Sequence, residues 1–349
     1  MPQILAIETS CDDSSAAVVR DGEIVSLLVS SQKDHNEWGG VVPEIASRAH
    51  LNHLFPLIGE ALRKAGTGIS EIDAVAVTSQ PGLIGSLLVG LNAAKGIAVA
   101  RGIPMIAVNH IEAHLLSVLI ENEIDYPYLA LVVSGGHTML YDVAGAGNYT
   151  MVGATRDDAA GEAFDKGAKL LGLGYPGGPI IDERAAKGNP KARAFPRALM
   201  NDASYDFSFS GLKTSLRYLL RDEYGGRSLT EEEVADLAAS YQEAIVDALV
   251  RKTMKAAAEL DRERIAVVGG VSANSRLRTA FAEMAGSKSA QVFWTSPIYS
   301  TDNAGMIGLV GWFRFRDGAF DPLSVVAKAS IKDARSVRGR PKNARASER

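Results

Sequence analysis

The chain contains one strand–turn–strand pattern twice, and each copy opens a series of alternating strands and helices. The first copy has strand-like runs at residues 4–9 and 15–25, on either side of the turn SCDDS. The second begins at the run 128–134, which leads through the turn GGHT into MLYDVAG. Strands that alternate with helical segments build sheets with helices packed on their faces. The sequence therefore predicts two α/β units.

This duplicated plan is similar to that of the actin, sugar-kinase and Hsp70 (ASKHA) superfamily, in which a cleft separates two α/β halves. We expect an N-terminal unit at 1–125, joined by the last helix at about 303–325, and a C-terminal unit at 126–302. The turn in each half carries small polar residues that could face a phosphate in the cleft. A shared fold does not by itself fix a reaction.

Composition favours a globular chain. Of the 349 residues 46% are hydrophobic, which is enough to bury a large core. The single cysteine, Cys11, excludes an intramolecular disulfide and a cysteine-rich zinc site. The N-terminus lacks the basic and apolar segments of a signal peptide, and no run reaches the roughly 18 uncharged apolar residues of a membrane helix. We therefore expect a soluble, cytoplasmic protein.

Charge is uneven along the chain, whose net value is −4. The tail at 334–349 carries six basic residues against Glu348, so its charge is +5 and the remainder carries −9. We expect this tail to be disordered and either to contact phosphate or to be a solvated end without a partner. Its basic residues are Arg335, Arg338, Arg340, Lys342, Arg345 and Arg349.

Two histidines in the stretch AVNHIEAHLL suggest a metal site. His110 and His114 are four residues apart, so on a helix they share one face and could bind a divalent ion. Two ordinary half-exposed histidines are a fair alternative. A zinc protease needs HExxH or HxxEH, whereas Glu112 lies roughly 200° around the helix from His110. Asp302, just before the last helix, is a candidate third ligand, and such a set suits iron or zinc with positions left open for substrate.

Two glycine-rich turns at strand ends are candidates for nucleotide binding. In VVSGGHT, Ser134, Gly135 and Gly136 offer a hydroxyl and unhindered N–H groups to phosphate or carboxylate. In VVGGVSAN, Asn274 follows two glycines and could hydrogen-bond a ribose or a base. Each turn alone could be a simple tight connection, but two such turns favour a ligand.

Acidic residues next to these turns are further candidates. Glu162, Asp165 and Lys166 share one helix face, for which ion pairing on the surface is the usual explanation. A buried carboxylate beside the following YPGGP turn would nevertheless suit ribose hydroxyls, and Asp182 lies one turn further on.

The first turn of the chain, ETSCDDS, carries Asp12 and Asp13. In a turn that faces phosphate, an aspartate can bind a metal or act as a base, although aspartates also simply form turns. We expect Cys11 to be a small buried residue and not a nucleophile.

Ten motifs, in order from residue 4 to about 310, resemble the TsaD family of tRNA N6-adenosine threonylcarbamoyltransferases, once labelled O-sialoglycoprotein endopeptidases. Each motif is weak alone, and the ordered set is very specific. The motifs are IETSCDD, GGVVPEIASRAH, PGLIGSLLVG, NHIEAH, LVVSGGHT, DDAAGEAFDK, YPGGP, FSFSGLKT, GGVSAN and TDNAGMIG.

The resemblance implies transfer of a threonylcarbamoyl group from L-threonylcarbamoyl-AMP to N6 of adenosine 37, in tRNAs that read codons starting with A, with release of AMP. It implies one divalent metal, Fe(2+) or alternatively Zn(2+), on His110, His114 and Asp302, and Asp12 as base or orienting group. It also implies a paralogous TsaB-type partner subunit and a small TsaE-type ATPase. The residues that correspond to the nucleotide side are Val132, Val133, Ser134, Gly135, Gly136, Asp165, Gly178, Asp182 and Asn274.

Two other classes of protein compete with this interpretation. A small-molecule kinase of the same superfamily would use ATP, magnesium and an acidic base, and would not need the two helix histidines. A non-catalytic paralogous scaffold would lack the metal ligands, whereas this chain has all three candidates.

Overall fold

The computed structural model describes residues 1–32, 35, 40–286 and 290–330, together with the backbone of 337–338. The basic tail predicted at 334–349 lies outside the described residues, apart from the backbone of those two positions.

The N-terminal half builds a five-stranded mixed sheet in the order β3-β2-β1-β4-β5. Its first three strands are antiparallel neighbours, and β4 and β5 then add in parallel to β1. The strands are β1 (Gln3–Glu8), β2 (Asp13–Arg20), β3 (Glu23–Ser31), β4 (Ala74–Gln80) and β5 (Met105–Asn109).

The C-terminal half repeats this arrangement, in the order β10-β9-β6-β7-β8-β11. Again an antiparallel meander comes first and two parallel strands follow, which confirms the predicted duplication. The strands are β6 (Tyr128–Val133), β7 (Thr138–Gly145), β8 (Asn148–Ala154), β9 (Arg264–Val268), β10 (Gln291–Trp294) and β11 (Val337–Arg338).

Helices and sheets alternate in five layers. In β1, Leu5 and Ile7 pack under α1 and α2, whereas Ile4 and Ala6 point to the other face, because successive strand residues face opposite ways. That other face packs on α3 and α10, which lie between the two sheets. The outer face of the second sheet is covered by α4 to α8. The helices are α1 (Pro43–Lys64), α2 (Ile84–Arg101), α3 (His110–Ser117), α4 (Ala160–Leu170), α5 (Gly177–Ala185), α6 (Ser210–Tyr224), α7 (Glu231–Glu259), α8 (Ser275–Gly286), α9 (Pro297–Ser300) and α10 (Ala304–Arg316).

Helix α10 lies unusually close to the first sheet. A Cβ atom on Gly308 would be 2.5 Å from Val19, and one on Gly311 would be 2.6 Å from Ala76. Only glycine leaves room for this approach, so the GxxG spacing in the last helix seats it against β2 and β4. Asp302 directly precedes this helix, and its place therefore depends on this packing.

One element differs from what the sequence suggests. Helix α2 is long and apolar enough, by length and composition alone, to cross a membrane. In this fold Leu87 and Ala94 of α2 are buried, and Lys95 donates a hydrogen bond to the carbonyl of Val325 (2.6 Å), as in a core helix.

Candidate metal and nucleotide site

The two histidines lie where β5 passes directly into α3. The side-chain oxygen of Asn109 caps the helix, accepting hydrogen bonds from the N–H groups of Ile111 (2.8 Å) and Glu112 (3.3 Å). This cap fixes the first turn of α3, so His110 and His114 project from one side of it. Both are buried.

Asp302 meets the histidines from the start of α10. Its Oδ1 atom lies 3.4 Å from Nε2 of His110 and 3.1 Å from Nε2 of His114. The helix that follows is held by Ser15 of β2, whose hydroxyl accepts a hydrogen bond from the N–H of Ala304 (2.9 Å). The structure thus brings together all three residues predicted as metal ligands, from two separate parts of the chain.

The geometry of these three residues fits a shared ion. Their nitrogen and oxygen ligand atoms all lie within 4.8 Å of one another. Two ligands of one tetrahedral ion, each at roughly 2.0–2.1 Å, are separated by about 3.3 Å, close to the two distances above. Imidazole nitrogen and carboxylate oxygen are also a donor set that suits zinc or non-haem iron.

Glu8, at the end of β1, supports the cluster from behind and was not identified from the sequence. Its Oε2 atom accepts hydrogen bonds from Nδ1 of His110 (3.0 Å) and from the hydroxyl of Thr78 (2.5 Å). The N–H of Ser10 donates to the other carboxylate oxygen. A carboxylate at Nδ1 places the proton there and leaves Nε2 to bind a metal. The signal was present in ILAIE, where a charged residue ends an apolar strand.

The electrostatics of the cluster favour a positive charge. Burial would lower the pKa of His110, but the carboxylates of Asp302 and Glu8 together raise it to about 10. Burial acts against ionisation of Asp302 too, yet the two histidines hold the pKa of that carboxyl well below its usual range. The pKa of His114, in contrast, is lowered by burial. A cation between Glu8 and Asp302 is therefore stabilised, as a metal site requires.

We expect Glu8→Gln to weaken metal binding by roughly 10- to 100-fold, the usual cost of removing a carboxylate behind a ligating histidine. The amide keeps the size of the side chain and loses the charge that orients His110. Competition with a metal chelator measures the affinity, and Glu23→Gln on the exposed β3 is the matched control. Equal metal affinity in Glu8→Gln and wild type would contradict this role.

Asp13, the first residue of β2, is held close to neutrality. Burial is the main cause, and the carboxylates of Asp302, Asp12 and Glu8 add to it, so that the pKa rises to about 7 despite a hydrogen bond from Ser31. Ionising Asp13 therefore costs folding free energy as pH rises from the unfolded-state value near 4 to about 7.

Asp13→Asn should consequently gain stability over the wild type as pH rises. The difference should be small near pH 4 and largest above pH 7, reaching a few kcal/mol at about 1.4 kcal/mol per pKa unit. Urea unfolding of both metal-free proteins across this pH range measures it. Glu23→Gln, an exposed carboxyl, should show no such trend. A difference that shrinks with rising pH would refute the assignment.

The turn after β6 lies beside the histidine cluster. Val132 and Val133 are buried in the strand, and the carbonyl of Ser134 accepts a hydrogen bond from the N–H of Gly161 at the start of α4 (3.2 Å). The N–H groups of Gly135 and Gly136 donate to no group among the residues that the structure describes. These two N–H groups can therefore donate to a ligand, as in an anion-binding turn.

His137 links this turn to the cluster, and it was not singled out from the sequence. Its ring centroid lies 6.3 Å from that of His110. Burial, and to a lesser extent the nearby charge of His110, lower its pKa to about 4, so the ring is neutral at physiological pH. The turn thus ends in a neutral imidazole that lies close to His110 of the cluster.

Asp165 and Gly178 lie next to each other on the second half. One oxygen of Asp165 accepts a hydrogen bond from the N–H of Gly177 at the start of α5 (2.7 Å). Burial raises the pKa of Asp165, and this N–H opposes the effect. The predicted ion pair on the same helix is present, since Lys166 lies 2.8 Å from Glu162.

Asp182 and Asn274 both accept hydrogen bonds from residues at the start of α8. Asp182 accepts hydrogen bonds from the N–H (2.9 Å) and the hydroxyl (2.8 Å) of Ser275. The side-chain oxygen of Asn274 accepts a hydrogen bond from the N–H of Leu277 (2.9 Å), and its amide donates to Gln242 (2.7 Å). Both side chains therefore help to build this wall of the cleft in addition to any contact with a ligand.

Gly269 brings the two glycine-rich turns together. It has a φ of +95°, and a Cβ atom there would be 2.5 Å from the carbonyl oxygen of Val133. Glycine is thus required for contact between backbones. The sequence suggested instead that these glycines let a ligand approach, and only Gly270 is open enough for that.

The first turn of the chain faces this wall. Asp12 is near enough to Asp165 and Tyr175 to contribute to raising their pKa values, although burial is the main cause for both. Cys11 is half-buried, and burial raises the pKa of its thiol, so it stays protonated. Asp12 stays the predicted reactive residue of this turn, and Cys11 is less buried than the sequence suggested.

Two solved structures share this fold. HypF in a phosphate- and nucleotide-bound form aligns with 92% of this chain and 56% of its own, with a TM-score of 0.60 and 13% identity. The activator of 2-hydroxyisocaproyl-CoA dehydratase from Clostridium difficile, with bound ADPNP, aligns with 90% of this chain and 96% of its own, with a TM-score of 0.54 and 12% identity. The predicted ASKHA-type fold is thereby confirmed.

Sequence comparisons identify close relatives. The TsaD family model, described as tRNA N6-adenosine threonylcarbamoyltransferase, matches residues 23–309. Proteins with that name include one from Geobacter sulfurreducens, 52% identical over 94% of this chain and 96% of the relative. Another, from Anaeromyxobacter dehalogenans (strain 2CP-C), is 54% identical over 89% of this chain and 93% of the relative.

Proposed function

The chain belongs to the TsaD family of tRNA N6-adenosine threonylcarbamoyltransferases, and we propose that it moves the threonylcarbamoyl group from L-threonylcarbamoyl-AMP to N6 of adenosine 37. The tRNAs concerned are those that read codons starting with A, and AMP leaves. The observation that supports this most is the position of the His110, His114 and Asp302 cluster beside the Ser134–Gly136 turn, with His137 between them. The proposed metal and the phosphate of the adenylate can therefore meet at one place.

His110, His114 and Asp302 are proposed to hold one divalent ion, Fe(2+) or Zn(2+). When bound, such an ion supplies Lewis acidity and charge stabilisation for the acyl oxygens. Glu8 orients His110, and the start of α10 orients Asp302. The N–H groups of Gly135 and Gly136 are proposed to donate hydrogen bonds to the phosphate of the adenylate.

The nucleotide is proposed to lie along the second half, against the wall built by α4, α5 and α8. Both solved structures with this fold hold nucleotides, which supports a nucleotide site by analogy. Asp165 of α4 and Gly178 meet at the start of α5, Asp182 and Asn274 meet at the start of α8, and all four are proposed to contact the nucleotide.

The chemistry requires positioning more than covalent catalysis. A mixed anhydride with AMP already has a good leaving group, so no enzyme nucleophile is needed, and orientation and charge stabilisation lower the barrier. The exocyclic amine of adenine is a poor nucleophile, and Asp12 is proposed to accept its proton. Adenosine 37 lies in a loop, so its base can be splayed out without opening a duplex.

Incubation of the protein and its partner subunits with threonylcarbamoyl-AMP and unmodified tRNA tests this function. Nucleosides read by mass spectrometry should include threonylcarbamoyladenosine. No such product, together with ATP turnover on a small alcohol, would favour the kinase alternative instead. A tRNA with guanosine at position 37 is the matched substrate control.

A paralogous TsaB-type subunit is proposed as partner, together with a small TsaE-type ATPase. The surface proposed for the paralogue is the exposed apolar face of α1 and α2. Leu51 and Phe55 of α1 are 64% and 61% exposed, and Leu88 of α2 is 44% exposed. Apolar side chains grouped in this way on neighbouring helices are typical of a protein interface.

We expect Phe55→Glu to weaken binding of the paralogous subunit by at least about tenfold, because a charge replaces an apolar anchor in the interface. Titration calorimetry measures the affinity. Asn52→Glu adds the same charge at a polar exposed position of α1 and should change it little. Unchanged affinity in Phe55→Glu would place the partner elsewhere.

A further inference from the structure

A cavity of about 610 Å³ lies behind α3, away from the histidine cluster. Its walls are α3, the last turns of α10, the turn between β7 and β8, and the extended chain at 317–328. None of the residues assigned to the metal or the nucleotide lines it. Its volume is in the range of small-molecule sites, roughly 300–1,000 Å³.

Glu112 is a half-buried carboxylate in the wall of this cavity. It projects from the opposite side of α3 to the histidines, as its spacing from His110 predicts. One of its oxygens accepts a hydrogen bond from the hydroxyl of Tyr149 (3.3 Å). Among the residues that the structure describes, no donor reaches its other oxygen, and no lysine or arginine lies within 4 Å of it.

Arg314, which also lines the cavity, already donates to other groups. Arg314 donates hydrogen bonds to the carbonyl of Ala107 (2.8 Å) and to Asp321 (2.9 Å). A half-buried carboxylate with no paired cation among the residues that the structure describes is costly, so a bound cation would stabilise this region.

We propose that this cavity binds a small organic cation, an amine or a guanidine, whose N–H groups donate to Glu112. Its carbon body would pack on Leu116, Val310 and Phe313, which form the apolar part of the wall. The five acidic and basic residues of the lining sum to a formal net charge of −1, three negative against two positive, which favours such a ligand. They are Glu112, Asp317, Asp321, Arg314 and Lys328.

The site lies outside the transfer reaction but touches the same helix. Asn109 lines the cavity and also caps α3, and Glu112 lies between the two histidines in sequence. A cation bound here would therefore hold the first turn of α3 in place. A small molecule in this cavity would thus influence the positions of the two histidines without entering the cleft.

Titration calorimetry of the full chain with agmatine and with putrescine tests the proposal. We expect one site with a dissociation constant in the micromolar range, roughly −7 to −8 kcal/mol. Glu112→Gln should bind at least about tenfold more weakly, since it loses the charge partner. Glu123→Gln, which neutralises an exposed carboxyl after α3, should bind like the wild type.

A second variant blocks the cavity without touching the carboxylate. Ala146 is exposed on the turn between β7 and β8 and lines the cavity, so Ala146→Trp should abolish binding while the thermal unfolding temperature stays unchanged. No saturable binding to the wild type, or undiminished binding to Glu112→Gln or Ala146→Trp, would overturn the proposal. A crystal structure of the full chain with other protein residues filling the cavity would overturn it too.

Discussion

His114→Ala should leave the protein folded and without its metal, and transfer should fall by more than about a thousandfold. The side chain is buried, its Nε2 atom points to Asp302, and its Nδ1 atom has no hydrogen-bond partner among the described residues. Its removal therefore deletes one of three ligands and breaks no supporting network. Loss of a ligand costs more than the roughly 10- to 100-fold effect of losing a supporting residue.

Metal content by atomic emission and product formation by mass spectrometry check this expectation together. His53→Ala removes an exposed histidine of α1 and should retain both properties. Circular dichroism shows whether His114→Ala is folded. If this variant keeps a full complement of metal and normal transfer, the three residues are not the metal site.

Asp12→Asn should show the opposite combination, with metal retained and transfer lowered by about 10²- to 10⁴-fold, the usual effect of removing a general base. Asp12 lies in the turn between β1 and β2 and faces Asp165 and Tyr175 across the cleft. Among the described residues, no hydrogen bond or ion pair joins it to His110 or His114, so the amide should not disturb the metal.

The pH profile of transfer separates two roles for Asp12. A proton acceptor gives wild-type kcat a rising acid limb that Asp12→Asn loses, whereas a residue that only orients substrate leaves the profile unchanged in shape. Asp21→Asn, at an exposed turn, is the matched control. Transfer within twofold of wild type in Asp12→Asn would remove it from the mechanism.

Much of the fold was predictable because local and tertiary preferences agree. Both meanders follow from apolar runs ended by turn residues. Helix α2 is an exception, because its length and composition fit a membrane span and only the burial of side chains such as Leu87 and Ala94 marks it as a core helix.

The candidate site was predictable only where its residues are close in sequence. The spacing of His110 and His114 indicates a metal site. Glu8, in contrast, lies about a hundred residues away from them and looks like the end of an ordinary strand. Asp182 and Asn274 were expected to face a ligand, and their spacing could not reveal that both also cap α8. Contacts between distant segments depend on packing, which periodicity does not specify.

The position of α3 and α10 between the two sheets makes the proposed metal ligands part of the packing between the two halves. His110 and His114 belong to α3 and Asp302 directly precedes α10, and the apolar side chains of both helices share one core with residues of both sheets. A rotation of one half against the other would therefore disturb the packing that sets the distances between these ligands, as well as the gap to the Ser134–Gly136 turn. Opening of the cleft and the geometry of the proposed metal site are in this way mechanically coupled.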